Sequence, residues 1–222
     1  MPLPRFATLD PSRRAAILRA AAEEFARAGL EAASHNRIIA AAGVSKGAMY
    51  YYFDNKEDLL LTVLADLAER SVAAIGEAGP FCDAAGFWAE VRALNARALA
   101  FFLGDPNVAG LAKQLMRASP MAPVGHTIAD YTRRVETYTT GLLRRGQTVG
   151  AVRTDLPLEL LAHLITGLGE SIDRWLFAHW ESIGPAERAA LPDQLIDLFA
   201  RLAAPQPPGA SPRNARTRRR QP

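Results

Sequence analysis

The sequence predicts an all-α protein, on three observations. Apolar residues recur at helical spacing between breaks, no alternating run is long enough for a strand, and glycine and proline punctuate the chain into about nine helices.

Asp10-Pro11 reads as a helix start, aspartate as N-cap and proline in the first turn; Leu18, Ala21, Ala22 and Phe25 continue it and Gly29 ends it. Ser34 caps a second, short helix to Ala41 or Ala42, Gly43 supplies a tight turn, and Ser45 caps a third. Asn55 with Asp58 resembles a capping box at the head of a long helix, whose Leu59, Leu60, Val63, Leu64 and Leu67 keep helical spacing to about Ala74. Further breaks fall at Gly104-Asp105-Pro106, Ser119-Pro120 to Pro123, Gly146 to Pro157 and Gly184-Pro185. From Pro205 the sequence PQPPGASPRNARTRRRQP lacks apolar periodicity and reads as a disordered basic tail, 205–222.

The chain has 222 residues, 49% of them hydrophobic, enough for a substantial core. Its formal charge of +3 comes from the tail: without Arg213, Arg216, Arg218, Arg219 and Arg220 the remainder is net negative. A nucleic-acid surface must therefore be a local patch. The single cysteine, Cys82, fits a reducing compartment. No run reaches membrane-spanning length and the N-terminus lacks a signal-peptide core, so a cytoplasmic protein with no membrane partner is expected.

Residues 43–53 read GVSKGAMYYYF. Helical residues advance about 100° each, so Tyr50, Tyr51, Tyr52 and Phe53 cannot all enter one core. Met49 and Phe53, four apart, share an inward face, while Lys46 and Tyr50 share another, with little bulk at Gly47 and Ala48. The phenolic hydroxyls suit phosphates, and two of only three lysines, Lys46 and Lys56, flank the run. Three short helices, a glycine turn and a long fourth helix make the plan of a helix-turn-helix DNA reader.

The stretches RAAILRAAAEEFARAGL and RIIAAAGVSKGAMYYYFDNKEDLL strongly resemble the DNA-binding domain of the TetR family of bacterial transcriptional regulators. The resemblance implies a reader at 10–71, a helical effector-binding and dimerisation domain at 72–204, and DNA contacts from Ser34, His35, Asn36, Ser45, Lys46, Gly47, Ala48, Tyr50, Tyr51, Tyr52 and Lys56. In that set Tyr50, Tyr52 and Lys56 clamp the backbone, Tyr51 lies near phosphate or a base, and Ser34 and His35 meet phosphate at a helix start. Base reading falls to Lys46 on guanine, Ala48 against a thymine methyl and Asn36 on adenine, with DNA shape as a second source of specificity. His35, Ile39, Ala48 and Tyr52 depart from the residues common at those positions.

In the C-terminal part the resemblance is architectural. It implies a homodimer through Leu161, Leu164, Leu168 and Ile172 on one helix and Leu195 and Phe199 on the last. It also implies an effector pocket, whose expected lining of Trp88, Phe101, Phe102, Met116, Met121, Tyr131, Tyr138 and Trp175 favours an apolar or aromatic ligand. Arg92, Arg97, Asn95 and His126 are candidate polar anchors. The four histidines form no metal-ligand motif with Cys82 or one another, and no phosphate-binding glycine loop follows a strand, so no metal, cofactor or enzymatic activity is expected. The expected function is a repressor that binds a pseudo-palindromic operator as a dimer and is released by an effector. The alternative is a helical ligand-binding or interaction protein with weak or no specific DNA binding.

Overall fold

The computed structural model describes residues 4–117 and 125–205. These form ten α-helices and one 3-10 turn, with no strand among the described residues. The first four helices are α1 (Pro4–Ala7), α2 (Pro11–Ala28), α3 (His35–Ala42) and α4 (Lys46–Tyr52), of which α2 is nearly as long as the α5 (Lys56–Ile75) that follows. The larger part comprises α6 (Ala84–Gly104), α7 (Pro106–Arg117), α8 (Gly125–Thr148), α9 (Leu158–His179), the turn Trp180–Ser182 and α10 (Pro185–Ala203).

The expected caps are in place. Asp10 accepts from the backbone N–H groups of Ser12 and Arg13, Ser34 from that of Arg37, Ser45 from that of Ala48 and Asn55 from that of Asp58. The helix added to the nine expected is α1, too short to show any periodicity in sequence. The break expected from Gly146 begins after Thr148 instead, and Gly146 lies inside α8. Its missing side chain is what the packing uses: a Cβ there would stand 2.5 Å from Val152 and 2.7 Å from the Phe87 ring. The expected Ser119–Pro123 break, Met121 and the basic tail from residue 206 lie outside the described residues.

Two apolar cores organise the chain. The first joins Ile17, Phe25, Ile38, Met49, Phe53, Leu59 and Val63 from α2 to α5, and it also takes Phe6 from α1 and Val108 and Leu111 from α7. The second gathers Phe87, Leu143, Ala151, Val152, Leu161, Ala162 and Ala203. Helix α7 is thus packed into the core of the N-terminal unit, so movement of α7 acts on that unit directly. Between α5 and α6, residues 76–83 are held at several points. Arg97 donates to the carbonyl of Ile75, Tyr138 accepts from the N–H of Ala78, and Arg145 donates to the carbonyls of Ala78 and Gly79.

Candidate nucleic-acid interface

The helix-turn-helix is fixed first by a buried acid. Glu24, 6% exposed on α2, accepts from the N–H of Ser34 and from Arg37, both at 2.9 Å, and from Arg27 at 2.6 Å. The Ser34 N–H and the Arg27 guanidinium hold its carboxyl down at about 2. One carboxylate therefore anchors the N-terminus of α3 to α2. Because its folded pKa is depressed, the stability it contributes is present above the ordinary value of 4.5 and is lost as pH falls toward about 2. Glu24→Gln is expected to lower Tm most at neutral pH, with the gap to wild type closing below pH 4.5; melting curves across pH check this, and a gap that stays constant would refute it.

The turn follows from Gly43, whose φ of 66° lies in the left-handed region. Its N–H bonds to Ala40 and that of Val44 to Ile39, the paired closure of a helix C-terminus that redirects the chain into α4. On α4, Met49 and Phe53 are fully buried, while Tyr50 and Tyr51 are about half exposed. The helix is held by one face and presents the other. Lys46 lies 5.9 Å from the Tyr50 ring centroid and Gly47 has nothing near its missing Cβ, leaving the first turn of α4 open. Ala48 is half-buried, Asn36 stands exposed on α3, and Ser34 and Ser45 spend their hydroxyl oxygens on capping.

Three of the expected contact residues also have partners within the chain. Tyr52 is half-buried: its ring packs edge-on against Phe6, with centroids 6.0 Å apart, and beside Tyr51. Lys56 donates to the carbonyls of Glu31 and Ala33, so two of its three ammonium protons tie α5 to the loop before α3. His35 packs edge-on against Tyr50 at 5.2 Å, and its Nε2 is enclosed with no partner among the described residues. Desolvation, then the charges of Lys56 and Lys46, push its pKa down and favour a neutral ring. The sequence reading missed α1 altogether: Phe6 is 3% exposed beneath Tyr52 and Phe53, and Arg5 stacks over Tyr51 with its guanidinium carbon 4.3 Å from the ring centroid. Phe6 and Leu9 were the only sequence signals, two apolar residues just ahead of the Asp10 cap.

Residues 17–63 match the family model of bacterial regulatory proteins of the tetR family. This segment is the family's N-terminal domain. Among similar proteins, the fatty acid metabolism regulator protein of Bacillus subtilis (strain 168) is 24% identical over 161 residues, spanning 72% of this chain and 81% of that one. A TetR-like transcriptional regulator from Rhodococcus sp. RHA1 superposes with a TM-score of 0.64 at 25% identity, covering 87% of this chain and 94% of the other. The fold is also that of the regulator FadR from Bacillus subtilis in complex with stearoyl-CoA, with a TM-score of 0.64, 22% identity, and 84% and 97% coverage.

The expected pocket residues are spread over several contacts. Phe101 packs on Phe102, at 5.0 Å, and Phe102 on Phe177 of α9, at 6.4 Å, making an aromatic wall between α6 and α9. Trp88 instead stacks edge-on with the buried Phe87, Tyr138 holds the 76–83 segment, and Trp175 stacks on His179 beside a surface groove that runs to α10. Met116 and Tyr131 are partly exposed on α7 and α8. Arg92 is paired with Asp193 and Asp197, and Arg97 with Ile75 and Glu90, which removes both as free anchors. His126 lies exposed at the start of α8. Asn95 keeps an enclosed Oδ1, and Thr166 an enclosed Oγ1, with no partner among the described residues. For pairing, Leu164 is exposed and Leu168, Ile172, Leu195 and Phe199 are half-buried, but Leu161 is fully enclosed in the second core and drops out. Leu160 and Leu198, unmarked in the sequence reading, are exposed instead.

Proposed function

We propose that this regulator is a cytoplasmic repressor, a homodimer on a pseudo-palindromic operator that an apolar effector releases. The observation that carries the reading is α4 itself, anchored by Met49 and Phe53 while Lys46, Tyr50 and Tyr51 are exposed away from that core. Residues 10–71 act as the reader and 72–204 as the effector and dimerisation part. Dimerisation is supported by Leu160, Leu164 and Trp175, exposed along one side of α9, and by Leu198 on α10. Two-fold operators need two readers about 34–36 Å apart, which a pair of chains supplies.

For the effector, the aromatic wall of Phe101, Phe102 and Phe177 supports an apolar body, and the unpartnered Asn95 and Thr166 oxygens support a group that donates hydrogen bonds. Similarity to a regulator solved with stearoyl-CoA makes a long-chain acyl-CoA the first ligand to try. Release follows from the contact of α7 with the reader: an effector that shifts α6 and α7 tilts α2 and α5 and changes the spacing of the two readers.

The test is salt-dependent binding to the gene's upstream DNA, with and without stearoyl-CoA. Sequence-preferring binding that stearoyl-CoA weakens is the expected result, and a folded dimer with no preference among sequences would overturn the repressor reading. Two variants sort the contacts. Tyr50→Phe, which removes only a phosphate-facing hydroxyl, is expected to weaken binding about threefold to tenfold on all sequences with Tm unchanged. Asn36→Ala is expected to relax preference at one base pair per half-site by about 1–3 kcal/mol. A panel of single-base operator variants reads both, and an unchanged profile for Asn36→Ala would remove it from the readers.

A further inference from the structure

We propose that the N-terminal segment Pro4–Ala7 extends the DNA interface beyond the helix-turn-helix, with Arg5 binding a backbone phosphate beside Tyr51. The proposal rests on the DNA-reading function given above and adds a contact outside residues 10–71.

The segment is fixed in place. Phe6 is 3% exposed in the first core, 4.8 Å from the Phe53 ring and edge-on to Tyr52. The Leu9 N–H bonds to the carbonyl of Phe6, and the Thr8 hydroxyl to that of Arg5, which closes the turn leading into α2. A buried phenylalanine therefore sets the position of its exposed neighbour, and Phe6 is a positioning residue for Arg5.

That position is beside the reading helix. The Arg5 guanidinium lies over the Tyr51 ring, and Tyr51 is half exposed one residue after Tyr50. A guanidinium whose carbon sits over a ring still carries N–H groups at its edge, and arginine grips phosphate through two such parallel hydrogen bonds. Little side-chain freedom remains to be lost on binding, because the ring already holds the group. Charge separates Arg5 from those arginines of the fold that hold an ion pair. Arg27 and Arg37 share the one carboxylate of Glu24, Arg70 pairs with Asp66 and Arg92 with Asp193, whereas no ion pair among the described residues involves Arg5 or Lys46. Two unneutralised cations thus rest on successive tyrosines of α4, Lys46 by Tyr50 and Arg5 by Tyr51. With two of the Lys56 ammonium protons committed to backbone carbonyls and the His35 ring favoured neutral, Arg5 and Lys46 are cations at this face of α4 whose N–H groups are uncommitted among the described residues.

The experiment measures affinity of the full chain for its preferred duplex, selected by the wild type from a random pool, over a range of salt concentrations. Arg5→Ala is expected to lower affinity about tenfold. It also makes the slope of log K against log salt shallower by about 0.9 per bound protomer, with base preference unchanged. Arg5→Lys keeps the slope, and Arg144→Ala, which removes an exposed arginine of α8, changes neither quantity. A wild-type slope for Arg5→Ala overturns the proposal, as does a weaker affinity that comes with a lower Tm and an unaltered slope, since Arg5 then acts through the fold alone. In both cases weakened binding by Tyr50→Phe leaves the α4 reader standing. Failure of the wild type to select any duplex overturns the DNA-reading function itself.

Discussion

Replacing Phe53 with alanine is expected to destabilise the chain by about 3–5 kcal/mol and to abolish operator binding. Phe53 closes α4, where its N–H bonds to the carbonyl of Met49, and its side chain is fully enclosed. It meets the Phe6 ring at 4.8 Å and belongs to the core that also holds α2, α3 and α5. Truncation leaves a void that α4 cannot collapse into, because Met49 on the same face and the closed turn at Gly43 fix the helix at its other end. For a chain of this length the loss corresponds to a fall in Tm of roughly 6–20 °C. Binding fails for a further reason: the same ring supports Phe6 and through it Arg5, so the open edge of α4 loses its backing on two sides. Thermal unfolding and a shift assay on the same preparation check this. A Phe53→Ala protein that melts with the wild type and still binds would mean that the core under α4 is not what holds the reader.

The difference between Phe53 and its tyrosine neighbours was legible in the sequence, because four consecutive aromatics cannot share one side of a helix and the one four residues from Met49 must be the core partner. The caps at Asp10, Ser34, Ser45 and Asn55 were legible for a similar reason, since each is a local chemical event between residues two or three apart. What escaped was contact across long sequence separation. Helix α1 has too few residues for a period, and only its burial against Phe53 reveals it. Lys56 read as a free cation because the carbonyls it binds, at Glu31 and Ala33, lie more than twenty residues earlier. The Glu24 anchor escaped likewise, one acid on a helix face binding groups ten and thirteen residues away. In the larger part, aromatic content pointed to a pocket, but content does not say which rings meet. Trp88, Tyr138 and Trp175 each turn to a separate partner. Leu161 fitted the apolar face of α9 that periodicity marks, yet that face is broad enough to serve both the inner core and the outer surface, and periodicity alone does not divide it.

Gly110→Ala is expected to change operator affinity and effector response together, because it acts where α7 meets the reader. A Cβ at residue 110 would stand 2.9 Å from the Cβ of Ala26 on α2, closer than two methyl groups tolerate. Neither can swing aside, since both atoms are fixed to helical backbone, so α2 and α7 must part. Overpacking of this kind costs about 1–3 kcal/mol, and the better helix propensity of alanine offsets up to about 1 kcal/mol of it. The net loss of stability is therefore modest. The larger consequence is geometric: Val108 and Leu111, on either side of Gly110, belong to the reader's core, and Gln114 one turn on donates to the carbonyl of Ala26. Separating the helices tilts the reader against α7, the displacement assigned above to the effector, so the variant is expected to bind the operator weakly without ligand and to respond little when ligand is added. The compensating change is Ala26→Gly, which removes the clashing atom and leaves the next nearest one, the Cα of Ala26, at an ordinary 3.6 Å. The Ala26→Gly/Gly110→Ala pair should recover operator affinity and effector response, at a helix-propensity cost of about 1 kcal/mol from the new glycine. A double-mutant cycle in both stability and DNA binding measures the coupling, expected at about 0.5–3 kcal/mol. Additive behaviour in that cycle would show that the close approach of α2 and α7 carries no information between effector and reader.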